Sequence, residues 1–203
     1  MKLYDDAIAP TPRRVRMFLA EKGVDIPRVP VTIGKGEHLA ESYAARVPSR
    51  RVPALELDDG TVISESVAIC RYIEALHPEP NLFGRTALEQ AQIEMWQRRM
   101  EFELLLPFAN AFRHSHPKMA ALENQIPAYA AAQKQLAEQR LAMLEGDLAR
   151  HPFIAGDSFS IADITAFTTL AFFPRLVRIA IDDRVPQVKQ WFDRIAARPS
   201  AAA

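Results

Sequence analysis

Val52-Pro53-Ala54-Leu55-Glu56-Leu57-Asp58-Asp59-Gly60-Thr61-Val62-Ile63-Ser64-Glu65-Ser66 sets a strand, a turn, a second strand and a helix start side by side. The runs Val52–Leu57 and Thr61–Ile63 predict strands, and Asp58-Asp59-Gly60 predicts the turn that makes them a hairpin. Ser64-Glu65-Ser66 then opens a helix whose apolar positions are Val67, Ile69, Cys70, Ile73 and Leu76. Upstream, Lys2–Asp5 predicts a strand, and Val15, Phe18 and Leu19 fall at i, i+3 and i+4 of a helix. Thr11 is the expected N-cap, with Pro12 at the first helical position and Gly23 as the stop. A further strand is expected over Arg28–Ile33, on the sheet edge because of Pro27 and Pro30. A mobile Gly34-Lys35-Gly36 loop and a weak helix over Glu37–Ala45 follow. The resulting order, βαβαββα, predicts a mixed sheet with helices on its faces.

Downstream the pattern changes. His77-Pro78-Glu79-Pro80-Asn81-Leu82-Phe83-Gly84 reads as a connecting stretch. The domains expected are residues 1–78, a linker at 79–85, and an all-helical C-terminal domain at 86–203. A long helix from Thr86 should break or kink at Pro107. Others are expected over Ala128–Arg150, from Ser160, and over Val185–Ala197. Phe159-Ser160-Ile161-Ala162-Asp163-Ile164 carries a full start signal: Ser160 caps, Asp163 reaches back, and Phe159 staples onto Ile164.

Composition narrows the function classes. Over 203 residues, 25 Lys and Arg balance 25 Asp and Glu. A chain of zero net charge lacks the basic footprint of a nucleic-acid or membrane-surface binder. The one cysteine, Cys70, excludes an internal disulfide, a Cys-based zinc site and a two-cysteine redox centre. Cys70 reads as a structural helix residue. His114 and His116 lack a visible third ligand and read as loop residues, so no metal is expected. Met1–Asp6 lacks an apolar signal core. No stretch reaches the roughly 20 apolar residues of a membrane span. A cytoplasmic protein is the expectation.

The hairpin and its helix also carry chemistry. A cis bond before Pro53 would turn the backbone N–H and C=O of Val52 outward, free to pair with an extended peptide. Ser66 at a helix start offers a hydroxyl, free N–H groups and a positive dipole end for a carboxylate. Glu65 suits an ammonium group. Together they make a receptor for a small zwitterionic peptide. The same residues also read as an ordinary turn, strand and capped helix.

In order along the first part stand Leu3-Tyr4, Pro10-Thr11-Pro12-Arg13-Arg14-Val15-Arg16, Glu21-Lys22-Gly23, Gly36-Glu37-His38-Leu39, Arg51-Val52-Pro53-Ala54-Leu55 and Ile63-Ser64-Glu65-Ser66-Val67-Ala68-Ile69. This set resembles the glutathione S-transferase family. Ala155-Gly156-Asp157 and Ser160–Ile164 extend the resemblance to the second part. It implies a thioredoxin-like N-domain, an all-helical C-domain and a homodimer that uses glutathione as co-substrate. By that resemblance Val52 pairs with the cysteinyl backbone beside cis Pro53. Glu65 and Ser66 hold the γ-glutamyl end, and His38 and Arg51 lie near the glycyl carboxylate.

The catalytic position departs from the family pattern. Theta, zeta and delta classes place a serine where this chain has Ala9. The beta class places a cysteine where this chain has Thr11. Thr11 is therefore the expected thiol-activating residue, as in the nu class, with Ala9 in the same loop and Arg13 adding positive potential. Tyr4 lies too early in the first strand and reads as a packed strand residue. A thiol ionises more readily beside a helix N-terminus and a hydroxyl donor.

The electrophile is expected between the N-domain and the first C-domain helix. Trp96, Arg99 and Glu103 share a face there by i, i+3 and i+7 spacing. Phe102, Phe108 and Phe112 are further candidate walls. The expected activity is attack of glutathione thiolate on a small hydrophobic electrophile. Two alternatives stand beside it: glutathione-dependent disulfide or peroxide reduction, and a non-catalytic interaction module.

Overall fold

The hairpin that decides the fold is formed by β3 (Ala54–Glu56) and β4 (Val62–Ser64), antiparallel, with Leu55 opposite Ile63. The computed structural model describes every residue, Met1–Ala203. Strand β1 (Lys2–Asp5) pairs antiparallel with β3 and parallel with β2 (Arg28–Pro30), giving the order β2-β1-β3-β4. The proline-flanked β2 lies on the edge, as its prolines predict. It is shorter than expected. Pro30 has no N–H to donate, and after Val31 donates to the Asp5 carbonyl the chain coils into a 3-10 turn at Ile33–Lys35.

Helices α1 (Pro10–Lys22) and α3 (Ser66–Leu76) pack beside each other in this unit. Leu3, Val15, Phe18, Leu55, Ile69 and Ile73 are wholly buried in it. Each such side chain contributes about 2 kcal/mol relative to exposure. The segment expected as one helix over Glu37–Ala45 divides into a 3-10 turn, Glu37–Leu39, and α2 (Glu41–Ala44). The extended backbone of Ala40 separates them. This unit comprises Met1–Leu82 together with Pro199–Ala203, whose 3-10 turn packs on α1. The sequence pattern alone places those last residues in the helical domain.

The second unit, Phe83–Arg198, is helical. Its elements are α4 (Ala87–Arg99), α5 (Leu106–Ser115), α6 (Pro127–Leu148), α7 (Ile161–Phe172), α8 (Pro174–Val177) and α9 (Pro186–Ala196). The irregularity expected at Pro107 falls one turn earlier, as a π-helical stretch at Met100–Leu105. Pro107 cannot donate to the carbonyl of Glu103, and its ring crowds that carbonyl, so the preceding turn widens. Helix α7 is the core helix, buried from Ile161 through Leu170. Its Asp163 accepts from the N–H of Ile154 (2.9 Å) and of Ser160 (3.0 Å), the Ser160 hydroxyl (3.2 Å) and the Trp191 indole (2.9 Å). The Phe159 ring, read as a staple onto Ile164, lies against Phe153 and the Arg198 guanidinium. No helix is long and apolar enough to cross a membrane.

Candidate functional site

The loop after β1 is fixed by buried charge. Asp5 holds the Arg16 guanidinium at 2.7 Å, and Arg16 also donates to the Asp6 carbonyl. The Asp6 carboxylate accepts from the N–H groups of Ile8, Ala9 and Ile33, each at 2.8 Å. The loop therefore needs no cap at Thr11. The helix begins two residues earlier than predicted, with Ala9 as N-cap and Pro10 first. This corrects the sequence assignment of Thr11 and Pro12.

The shift has a chemical consequence. Pro10 and Pro12 carry no N–H, and the Arg13 N–H is bonded to the Ala9 carbonyl at 3.2 Å. Thr11 thus supplies the one unspent N–H of the first turn, where the helix dipole is positive. Its hydroxyl donates to the Val52 carbonyl at 3.4 Å, a long bond that is easily exchanged.

The Val52–Pro53 peptide is cis, as the family resemblance implies. The Tyr43 hydroxyl donates to the Arg51 carbonyl at 2.6 Å and fixes the approach to it. The Val52 N–H takes no partner in the fold. Tyr4, in contrast, spends its hydroxyl on Glu56 at 2.6 Å in the buried interior. Burial first, then that carboxylate, raises its pKa, so the phenol stays protonated.

At the start of α3, Glu65 holds a left-handed backbone (φ 72°, ψ 116°), and its side chain is exposed. A non-glycine residue there costs on the order of 1–3 kcal/mol and clusters at functional sites. Ser66 is buried, and its hydroxyl oxygen accepts from the Arg14 guanidinium at 2.9 Å. The hydroxyl proton of Ser66 is thereby left to donate elsewhere. No side chain caps α3, so its first N–H groups stay open at the positive end of the dipole.

His38 and Arg51 lie in each other's field. Burial first, then the Arg51 charge, holds His38 below its ordinary pKa, with Asp6 opposing. The imidazole is neutral at physiological pH, and its buried Nδ1 has no partner. The Arg51 side chain is exposed.

Several expectations come out differently. Arg13 donates to the Ala201 carbonyl at 2.7 Å instead of facing the loop. Arg14, for which the sequence suggests no role, is buried on Ser66. Its spacing to Phe18, i to i+4, was the available signal. Tyr43 gave no such signal, because it acts on a backbone carbonyl eight residues on, and neither did the reach of Asp6 to the Ile33 N–H.

In the helical unit, Trp96, Arg99 and Glu103 do share a face. Arg99 stacks on Trp96 at 4.8 Å, and Arg140 reaches both Trp96 and Glu103. Phe108 is wholly buried, while Phe112 packs with Phe172 and Phe173. No group of three or more His, Cys, Asp or Glu side chains converges to hold a metal.

Comparison with known proteins gives a consistent result. Residues 9–76 match the family model for the glutathione S-transferase N-terminal domain, and residues 100–199 that for the C-terminal domain. The chain is 37% identical over 204 residues to glutathione S-transferase 2 of Saccharomyces cerevisiae, covering 98% of this chain and 87% of that one. It superposes on the crystal structure of Gtt2 from Saccharomyces cerevisiae with a TM-score of 0.93, at 37% identity, covering 100% of this chain and 99% of the other. It superposes on the class Gtt2 glutathione S-transferase of Vibrio parahaemolyticus with a TM-score of 0.87, at 36% identity, covering 98% and 94%.

Proposed function

The chain belongs to the glutathione S-transferase family, and from that premise we propose that it conjugates glutathione to a small hydrophobic electrophile. The observation that carries this reading is the start of α1, whose single unspent N–H and loosely held hydroxyl both belong to Thr11. A thiol brought there meets two donors and a positive dipole end, all of which favour its thiolate. The proton leaves to solvent. The thiolate sulfur then forms a bond to the electrophilic carbon, and the leaving group departs with its electron pair.

The other contacts follow from groups left open. The N–H and carbonyl of Val52 pair with the cysteinyl backbone, as a short added strand would. Glu65 holds the γ-glutamyl ammonium. Its carboxylate accepts from Ser66 and the open N–H groups of α3. Arg51 and neutral His38 meet the glycyl carboxylate. Ala9 lines the loop without a hydroxyl of its own. Trp96, Arg99 and Glu103 remain the proposed contribution of the helical unit to electrophile binding.

A homodimer suits the exposed apolar residues Leu88 and Met95 of α4, Phe102 of the π-helical stretch and Leu106 at the start of α5. The compartment this reading assigns is the reducing cytoplasm.

The test is a comparison of turnover with glutathione and either an aryl halide or a mixed disulfide. Conjugation predicts the higher kcat/KM on the aryl halide. A higher value on the disulfide, or none on either, overturns it in favour of reduction or of a binding module.

A further inference from the structure

Burial does little to hold the segment that carries His38. Asp6 fixes its start at the Ile33 N–H, but between Val31 and Tyr43 no residue is buried. The chain then returns through Val47-Pro48-Ser49-Arg50, a turn closed by the Arg50 N–H on the Val47 carbonyl at 2.9 Å. That turn leads directly into Arg51 and Val52. Tyr43 and Arg50 tie the two segments together. The Tyr43 hydroxyl donates to the Arg51 carbonyl at 2.6 Å, its ring edge-on to Tyr4. The Arg50 guanidinium reaches the middle of the segment. It donates to the Leu39 carbonyl and to the Glu41 carboxylate, each at 2.8 Å.

Arg50 stands where glycine is the ordinary choice. It closes the turn in the left-handed region, with φ 52°. Three non-glycine residues have positive φ, namely Arg50, Glu65 and Arg178, and the first two flank the proposed peptide receptor. An arginine at this place costs backbone energy. The ion pair does not repay that cost in stability, because the Glu41 side chain is 89% exposed. What the Arg50 side chain supplies is a fixed span between Leu39, next to His38, and Arg51, next to Val52.

We propose that Arg50 is a positioning residue for glutathione, latching the His38 segment to that of Arg51 and Val52. The groups that meet the glycyl carboxylate and the cysteinyl backbone are then in place before the peptide arrives. The inference rests on the glutathione receptor proposed above. Without the latch, only a fraction of free molecules hold the two segments in register, and apparent affinity falls by that fraction. The bound thiol beside Thr11 reacts as before.

The test compares the wild type, Arg50→Gly and Arg50→Lys by calorimetric titration with glutathione and by conjugation kinetics with an aryl halide. Arg50→Gly should raise the Kd and the KM for glutathione about tenfold, the worth of one charge-assisted bond, and leave kcat at saturating glutathione unchanged. Its melting temperature should barely move, because glycine suits the left-handed backbone there. A merely structural arginine would give the opposite pattern, a lower melting temperature with KM unchanged. Arg50→Lys should recover part of the affinity, since an ammonium lacks the fork that meets both acceptors. Hydrogen exchange reads the latch without turnover. Amides of residues 34–42 should exchange faster in free Arg50→Gly than in the free wild type and regain protection with glutathione. If the wild type binds glutathione and Arg50→Gly binds it equally well, or loses kcat alone, the latch is overturned and the receptor stands. If the wild type does not bind glutathione, both are overturned.

Discussion

In the sheet-bearing unit, α1 and α3 begin with no side-chain cap. In the helical unit, α4 and α7 begin with complete capping boxes, Thr86 with Glu89 and Ser160 with Asp163. There too the start of α9 is closed by Glu145, whose carboxylate accepts from the N–H groups of Gln187 and Val188. Orphan N–H groups at a helix start must be satisfied by side chains, water or a ligand. At α4, α7 and α9 the helical unit satisfies them internally and gains stability, although its α6 has no side-chain cap. The sheet-bearing unit leaves them open next to Thr11, Val52, Glu65 and Ser66. On the proposed reading, the contrast separates what holds this protein together from what it presents to a substrate.

Breaking a closed start should destabilise without touching glutathione affinity. Asp163→Ala strands three buried donors, the Ile154 and Ser160 N–H groups and the Trp191 indole. It should cost about 4 kcal/mol by chemical denaturation, near the upper end for one substitution. The KM for glutathione of the remaining folded protein should be unchanged.

Asp163 also sets a pH dependence. Its pKa is raised from 3.8 to about 6, burial outweighing its four hydrogen bonds. The folded state therefore binds this proton more tightly than the unfolded chain. The resulting stabilisation is fully present below pH 3.8 and is lost as pH rises through about 6. Its size is on the order of 3 kcal/mol. Denaturation at several pH values should show this slope in the wild type and not in Asp163→Ala.

Changing an open start should do the reverse. Glu65→Gln should raise the KM for glutathione about tenfold or more, the worth of one charge-assisted bond. The melting temperature should barely move, because the Glu65 side chain is exposed and caps nothing. The smallest effect sharpens the contrast. Thr86→Ala removes the hydroxyl that accepts from the Glu89 N–H at 3.2 Å. It should cost about 1 kcal/mol of stability, visible in the melting temperature, with kinetics unaltered.

How far the sequence foretold this depends on the range of the interaction. The Ser160–Asp163 box and the β3–β4 hairpin are local, so spacing alone announces them. The edge position of β2 and the α3 start at Ser66 were legible for the same reason, whereas the cis bond at Pro53 followed from the family resemblance. The true beginning of α1 was not. It depends on Asp6, whose carboxylate serves residues 8, 9 and 33 together. Two prolines competed for the first helical position, and only that tertiary contact decides between them. The burial of Arg14 on Ser66 joins residues 52 apart in sequence, beyond any local pattern. The π-helical stretch at Met100–Leu105 was readable as an irregularity near Pro107, not in its form.

The central claim is that the open start of α1 activates a thiol through Thr11. The most direct measurement is a pH titration of the ultraviolet thiolate absorbance of glutathione bound to the protein, in the wild type and in Thr11→Ala. A free thiol titrates near about 8.5. The account predicts ionisation of the bound thiol well below that value, with much of the shift lost in Thr11→Ala. Bound glutathione that titrates as if free, or a lowered value unchanged by the substitution, would contradict it.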